Sequence, residues 1–176
     1  MILDFLKTAV NLKNISRQGW IDKLSLKRPE SVADHSYSMA IMGMIISDLE
    51  NYNSEKILKM ILLHDLAESK IGDYTPNQIS KENKIKIENS AYAEIISTLP
   101  ESIKLQYAQI WKEYQKQESP ESKIVHQIDK LEMALQAKMY EKDGSSKEAV
   151  ESFFKSAKDE ITHPKLKEIL NQILED

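Results

Sequence analysis

Polar side chains recur at helical positions where the apolar period calls for hydrocarbon. In the segment that opens at Ser31, the residues Val32, His35, Met39, Met42 and Ile46 share one stripe at i, i+3, i+4 spacing, which aims His35 inward. In the segment from Glu55, the stripe Ile57, Met60, Ile61, His64 and Glu68 sets a histidine and a carboxylate one turn apart, with Asp65 about 100° round from His64. Further on, Asp129 sits beside the apolar row Ile124, Ile128, Leu131 and Leu135, with Val125, Glu132, Met133 and Gln136 flanking it. A carboxylate beside a core row is costly unless something pairs it. Taken singly, each has an ordinary reading: His35 as a hydrogen-bonded core residue, Asp129 as a surface residue or the partner of Lys130. Taken together, they form the mixed imidazole and carboxylate set that Mn, Fe, Co and Zn accept. The chain has no cysteine, which excludes thiolate catalysis, iron–sulfur clusters, Cys-bound zinc and a disulfide framework. A metal here would rest on His, Asp and Glu.

The elements that must carry these residues read as helices throughout, because Gly and Pro are scarce and Lys, Glu, Leu and Ile abundant. A first amphipathic helix uses Ile2, Phe5, Leu6, Ala9 and Val10 and ends before Arg17; Gln18 to Arg28 reads as irregular connection. Ser31 caps a helix from Val32 to Leu49. Ser54 opens the next, Glu55 to about Ser69, closed by Gly72, and Asp73 to Asn77 is loop. Further helices run from Lys81 to Leu99, from Pro100 through Trp111, from Pro120 to about Lys142, around Val150 to Ala157, and from Pro164 to Leu174. The expectation is one all-α bundle of about seven or eight helices, a single domain over residues 1–176. Lys81 to Lys86 reads as a solvated face, or a lid over a pocket. Glu88 receives no role, His126 reads as surface, and His163 as a helix-entry residue. Tyr107, Trp111 and Tyr114 read as packing, and Met39, Met42 and Met44 as core filler.

The strings ESVADHSYSMA (Glu30 to Ala40), LLHDLAESKIGDYTP (Leu62 to Pro76), ESKIVHQIDKLEMALQAKMYE (Glu121 to Glu141) and THPKL (Thr162 to Leu166) go beyond the bare ligand set. The chain resembles the 5′-deoxynucleotidase branch of the HD-domain metal-dependent phosphohydrolases from about residue 5 to 169. The resemblance implies an HD-domain bundle in which His35, His64, Asp65 and Asp129 ligate a divalent cation (Mn, Co, Fe, Mg or Zn). It places Glu68 and Asp73 in the catalytic constellation, either holding the attacking water or binding a further metal. It also assigns substrate contacts to Arg17, which matches a phosphate-binding arginine, to Asp65 and Asp129, and to the loop Asp73, Tyr74, Thr75 and Pro76 that closes on the nucleotide. Bacterial members carry a tryptophan directly after that arginine. Here Gln18 and Gly19 intervene, so Trp20 joins the substrate-binding set without the sugar-sensing role.

The implied reaction is hydrolysis of a (deoxy)nucleoside 5′-monophosphate to nucleoside and phosphate, by a homodimer. The rival readings are an HD phosphohydrolase acting on triphosphates or signalling nucleotides, and a non-catalytic binding protein of the same fold. Additional phosphates would need further basic residues, and the string offers Arg17, Lys23, Lys27 and Arg28 near the site. A formal net charge of −4 gives no general attraction to nucleic acid or anionic membrane. No stretch approaches the roughly 18–20 apolar residues of a membrane span, and the N-terminus lacks the clean apolar core of a signal peptide. A cytoplasmic protein is the expectation.

Overall fold

A computed structural model describes all 176 residues. The chain forms ten α-helical segments: α1 (Ile2–Asn11), α2 (Gln18–Leu24), α3 (Val32–Glu50), α4 (Ser54–His64), the single turn α5 (Glu68–Ile71), α6 (Lys81–Ser97), α7 (Glu101–Lys116), α8 (Pro120–Lys142), α9 (Lys147–Glu160) and α10 (Pro164–Glu175). A 3₁₀ turn, Leu12–Asn14, follows α1. There is no sheet; one isolated antiparallel bridge joins Ser16 to Ser31. The all-α expectation holds, and the count exceeds seven or eight for two physical reasons.

The first is α2. Gly19 and the polar residues around it make Gln18 to Arg28 look irregular, yet a distant acceptor caps a helix there: the Gln18 N–H donates to Asp73 Oδ2 at 2.8 Å. Trp20 then packs between the rings of Tyr140 and Phe153. The second is a break after His64. Leu66 and Glu68 donate to the carbonyls of Leu63 and Asp65, three residues back rather than four, so the backbone tightens and α5 starts afresh at Glu68. His64 and Glu68 therefore do not lie on one continuous helix. One boundary also moves, since Asn53 rather than Ser54 caps α4, its side-chain oxygen accepting from the Lys56 N–H. The Ser31 cap is present and reciprocal, with Asp34 completing the box.

The centre of the bundle is α3, α4 and α8, with α7 against α4 and α9 and α10 against α8. The reversal at Asn51–Asn53 returns α4 along α3, so the first turn of α3 lies beside the last turn of α4. Gly43 makes that approach close. A Cβ there would stand 2.4 Å from Ile61 Cδ1 and 3.0 Å from Ile57 Cγ2, both buried. Gly43→Ala is expected to lower stability by about 1–2 kcal/mol, since overpacking outweighs the better helix propensity of alanine. Thermal unfolding checks this: a melting temperature that stays or rises would mean that Ile61 simply swings aside.

Candidate active site

His35, in the first turn of α3, is fully buried. Its Nδ1 lies 2.6 Å from Glu132 Oε2 on α8. The Nδ1–H donates to that carboxylate, which leaves Nε2 facing the interior. Nε2 is 3.2 Å from Asp129 Oδ1 and 4.0 Å from Asp65 Oδ2, yet it makes no hydrogen bond. His64, at the end of α4, is fixed the same way: Nδ1 donates to the Ile61 carbonyl at 2.6 Å, and Nε2 sits 3.0 Å from Asp65 Oδ2. His35, His64 and Asp129 form a triad whose donor atoms lie within 4.8 Å of one another. Asp65 reaches it because the backbone leaves the helix at that residue, with φ −106° and ψ 11°. Four donors with this spacing suit one divalent ion, for which bonds of about 2.1 Å put neighbouring ligands roughly 3.0–3.4 Å apart. The buried, unpartnered Nε2 of His35 is the observation that decides the fit. Both imidazoles also have the oxygen partner on the far nitrogen that ligating histidines require.

Arg17 is brought in by the short bridge at the start of α3, where the Arg17 N–H donates to the Glu30 carbonyl at 3.0 Å. Its guanidinium is 3.4 Å from Asp65 Oδ2. Burial disfavours its charge, but Asp65, Asp73, Glu68 and Asp129 more than compensate and hold it protonated. Glu68 is 1% exposed. One of its oxygens, Oε2, has no partner, and Oε1 faces Lys84 Nζ at 3.4 Å. Burial, with the charges of Asp65 and Asp73 beside it, pushes the Glu68 carboxyl well above the usual range. Burial alone would raise Asp65 and Asp129 too; the basic side chains around them win, with His64 and Arg17 lowering Asp65 and His35 lowering Asp129.

These side chains open into a cavity of about 820 Å³. Arg17, Trp20, His64, Asp65, Glu68, Asp73, Tyr74, Thr75, Pro76 and Asp129 all line it; His35, fully buried, is not part of the wall and joins the set through Nε2, 3.2 Å from Asp129. Asp73 follows Gly72, whose φ of +81° turns the chain back toward α2. Thr75 donates to Asp22 Oδ2, tying the loop to α2 a second time. Trp20 is 1% exposed and its N–H is taken by Glu30 Oε1 at 2.8 Å, so it offers the cavity only part of its ring.

Other cavity residues escape the sequence reading. Lys84 and Glu88 point inward from α6 rather than to solvent. His126 is half-buried in the wall, stacked on Tyr114 with ring centroids 4.2 Å apart, rather than on the surface. Tyr114 itself packs edge-on to His64. Lys27 and Arg28 are exposed and do not line the cavity, whereas Lys81, Lys84 and Lys130 do. Glu132 had one usable signal: it lies three residues after Asp129, on the same face of α8.

An all-helical bundle that gathers two histidines and two aspartates at one cavity, one His–Asp pair adjacent in the chain, belongs to a recognisable class. A family model described as the HD domain matches residues 9–170, and the chain belongs to that family. It is similar to a human protein named 5′-deoxynucleotidase HDDC2, 36% identical over 98% of this chain and 84% of the relative. A Dictyostelium discoideum protein of the same name is 38% identical over 99% of this chain and 97% of its own length. Among solved structures, a conserved hypothetical protein from Pyrococcus furiosus superposes with a TM-score of 0.78 at 30% identity, covering 99% of each chain. No helix of the chain is long and apolar enough to cross a membrane.

Proposed function

We propose that this chain is a 5′-deoxynucleotidase that hydrolyses (deoxy)nucleoside 5′-monophosphates to nucleoside and phosphate. The observation that carries it is the convergence of His64, Asp65 and Asp129, with Glu68 and Arg17, on one water-accessible cavity, with the buried His35 Nε2 3.2 Å from Asp129. A divalent cation held by those four side chains supplies Lewis-acid charge and lowers the pKa of a water. Arg17 offers a planar fork to two phosphate oxygens, which a lysine cannot match. Glu68, with a free oxygen beside the donor set, accepts the proton that the nucleophile loses as it attacks phosphorus. Asp73 keeps α2, and with it Arg17 at the cap position, against the loop that lines the cavity. The bond from phosphorus to the 5′ oxygen breaks, that oxygen takes up a proton from water, and nucleoside leaves.

Monophosphates fit this wall better than longer chains. Five Lys and Arg side chains line the cavity (Arg17, Lys23, Lys81, Lys84 and Lys130) against six Asp and Glu side chains, and Lys84 is already engaged by carboxylates. The expected result of a panel of mono-, di- and triphosphates is phosphate release from monophosphates alone, abolished by chelator and restored by divalent ion. Pyrophosphate or triphosphate as product would overturn the nucleotidase reading. For the homodimer, the exposed Tyr37, Ile41, Met44 and Ile45 on α3 offer an apolar face.

A further inference from the structure

Lys84 and Glu88 lie one turn apart on α6, opposite the metal-type donors. A lysine–glutamate pair at this spacing is ordinary on a solvated helix, where it stabilises only weakly. Here the ammonium does more than meet its helical neighbour. Lys84 Nζ is 3.5 Å from Glu88 Oε1, 3.4 Å from Glu68 Oε1, 3.8 Å from Asp73 Oδ1 and 3.1 Å from the carbonyl oxygen of Tyr74. These four oxygens come from three elements: α6 itself, the turn after the His–Asp break, and the loop lining the cavity. The same loop is tied to α2 on its other side through Asp73 and Thr75.

We propose that Lys84, oriented by Glu88, is a positioning residue of the hydrolytic site. It holds the Glu68 carboxylate by Oε1 and the loop by the Tyr74 carbonyl, so that the base and the segment closing over the substrate keep one fixed relation. The geometry explains why Glu68 presents its other oxygen without a partner: the lysine takes one face of the carboxylate and leaves the second for chemistry. Glu88 anchors the lysine from its own helix, one turn along α6, and so restrains the flexible stem. This inference rests on the nucleotidase reading for its kinetic consequences, but not for its structural ones.

The test uses the full chain with Lys84→Met, Lys84→Arg, Glu88→Gln and the Lys84→Met/Glu88→Gln pair. Phosphate release from a deoxynucleoside monophosphate and hydrogen exchange of residues 72–79 are both measured. Lys84→Met is expected to lower kcat by about 10- to 100-fold, the range seen when an outer partner of a catalytic group is lost. KM should change far less, and exchange across 72–79 should speed up while α8 is unaffected. Lys84→Arg should recover most of the loss, because a cation of similar reach can still bridge the carboxylate and the carbonyl. The double variant should be no worse than Lys84→Met alone, since Glu88 acts only through the lysine. Wild-type kcat and wild-type exchange in Lys84→Met would overturn the proposal. So would a double variant that loses the full product of both single effects. If Lys84→Met fails to fold, Lys84→Arg and Glu88→Gln still decide: wild-type exchange and kcat in Glu88→Gln would count against it. A wild-type chain that released no phosphate would sink the nucleotidase reading, and the exchange measurement would still judge the brace.

Discussion

Asp65→Ala is expected to abolish both bound divalent ion and phosphate release. The carboxylate stands 3.0 Å from His64 Nε2, 4.0 Å from His35 Nε2 and 3.4 Å from the Arg17 guanidinium, so one truncation removes a donor and the counter-charge of the phosphate fork. Charge stabilisation by a bound ion is worth several kcal/mol at the transition state, so the rate should fall on the order of 10³-fold or more. Metal analysis after gel filtration and a phosphate assay, with circular dichroism as the folding control, check this. An alanine variant with full metal content and full activity would refute the assignment. The ion also has a proton to displace. Burial and the Arg17 charge oppose protonation of His35, but the carboxylates of Asp129 and Glu132 outweigh them and push the imidazole up to about 10. Metal affinity should therefore climb with pH, about tenfold per unit, until that value is passed. The stability of the chelator-treated chain should move the other way. A folded pKa above the ordinary 6.5 gives stabilisation that is complete below pH 6.5 and is lost as pH rises toward 10. Calorimetric titration with metal and urea melts across that window measure both slopes; an affinity flat in pH would show that the ion displaces no proton from His35.

The helical fold was legible because its signals are local. Ser31 caps the helix that the apolar period begins, and Pro120 sits in the first turn of α8. What escaped was written in distant residues. Nothing near Gln18 announces that Asp73 will cap it, and nothing near Asp65 shows that the backbone leaves the helix there. That break matters to the chemistry, because on an unbroken helix Asp65 would point well round from His64 instead of into the same cavity. The ligand-type residues could be read because a histidine or aspartate on an apolar stripe is an anomaly. Lys84, Glu88 and His126 could not, because a lysine or glutamate on a charged helix is the rule, and only the packing of α6 and α7 turns them inward. Other motif residues prove structural. Gln127, within the Asp129 string, accepts from the N–H groups of Thr162 and His163 and so ties down the start of α10.

Glu68→Gln is expected to separate binding from chemistry. Glutamine keeps the volume of a side chain that is 1% exposed and can still meet Lys84 through its carbonyl oxygen, but it cannot take up a proton. Loss of a positioned base costs about 10²–10⁴-fold in rate, so kcat should fall by that amount while KM and metal content stay near wild type. The pH profile carries a second signature. Burial and the neighbouring charges of Asp65 and Asp73 raise the carboxyl well above its ordinary range, against the pull of Arg17 and Lys84. Below that pKa Glu68 keeps its proton and cannot accept another, so the wild-type rate should rise with pH through a limb lying above the usual carboxylate range. The glutamine variant should lack the limb. Rapid-mix assays across pH, on protein of verified metal content, distinguish the outcomes. A variant within threefold of wild type would move the base elsewhere, and Asp73 is the neighbour with a carboxylate in the cavity. Yet one Asp73 oxygen already accepts from the Gln18 N–H and the other faces Lys84. Using it as a base would loosen the cap on α2, whereas Glu68 holds a buried oxygen with no other partner.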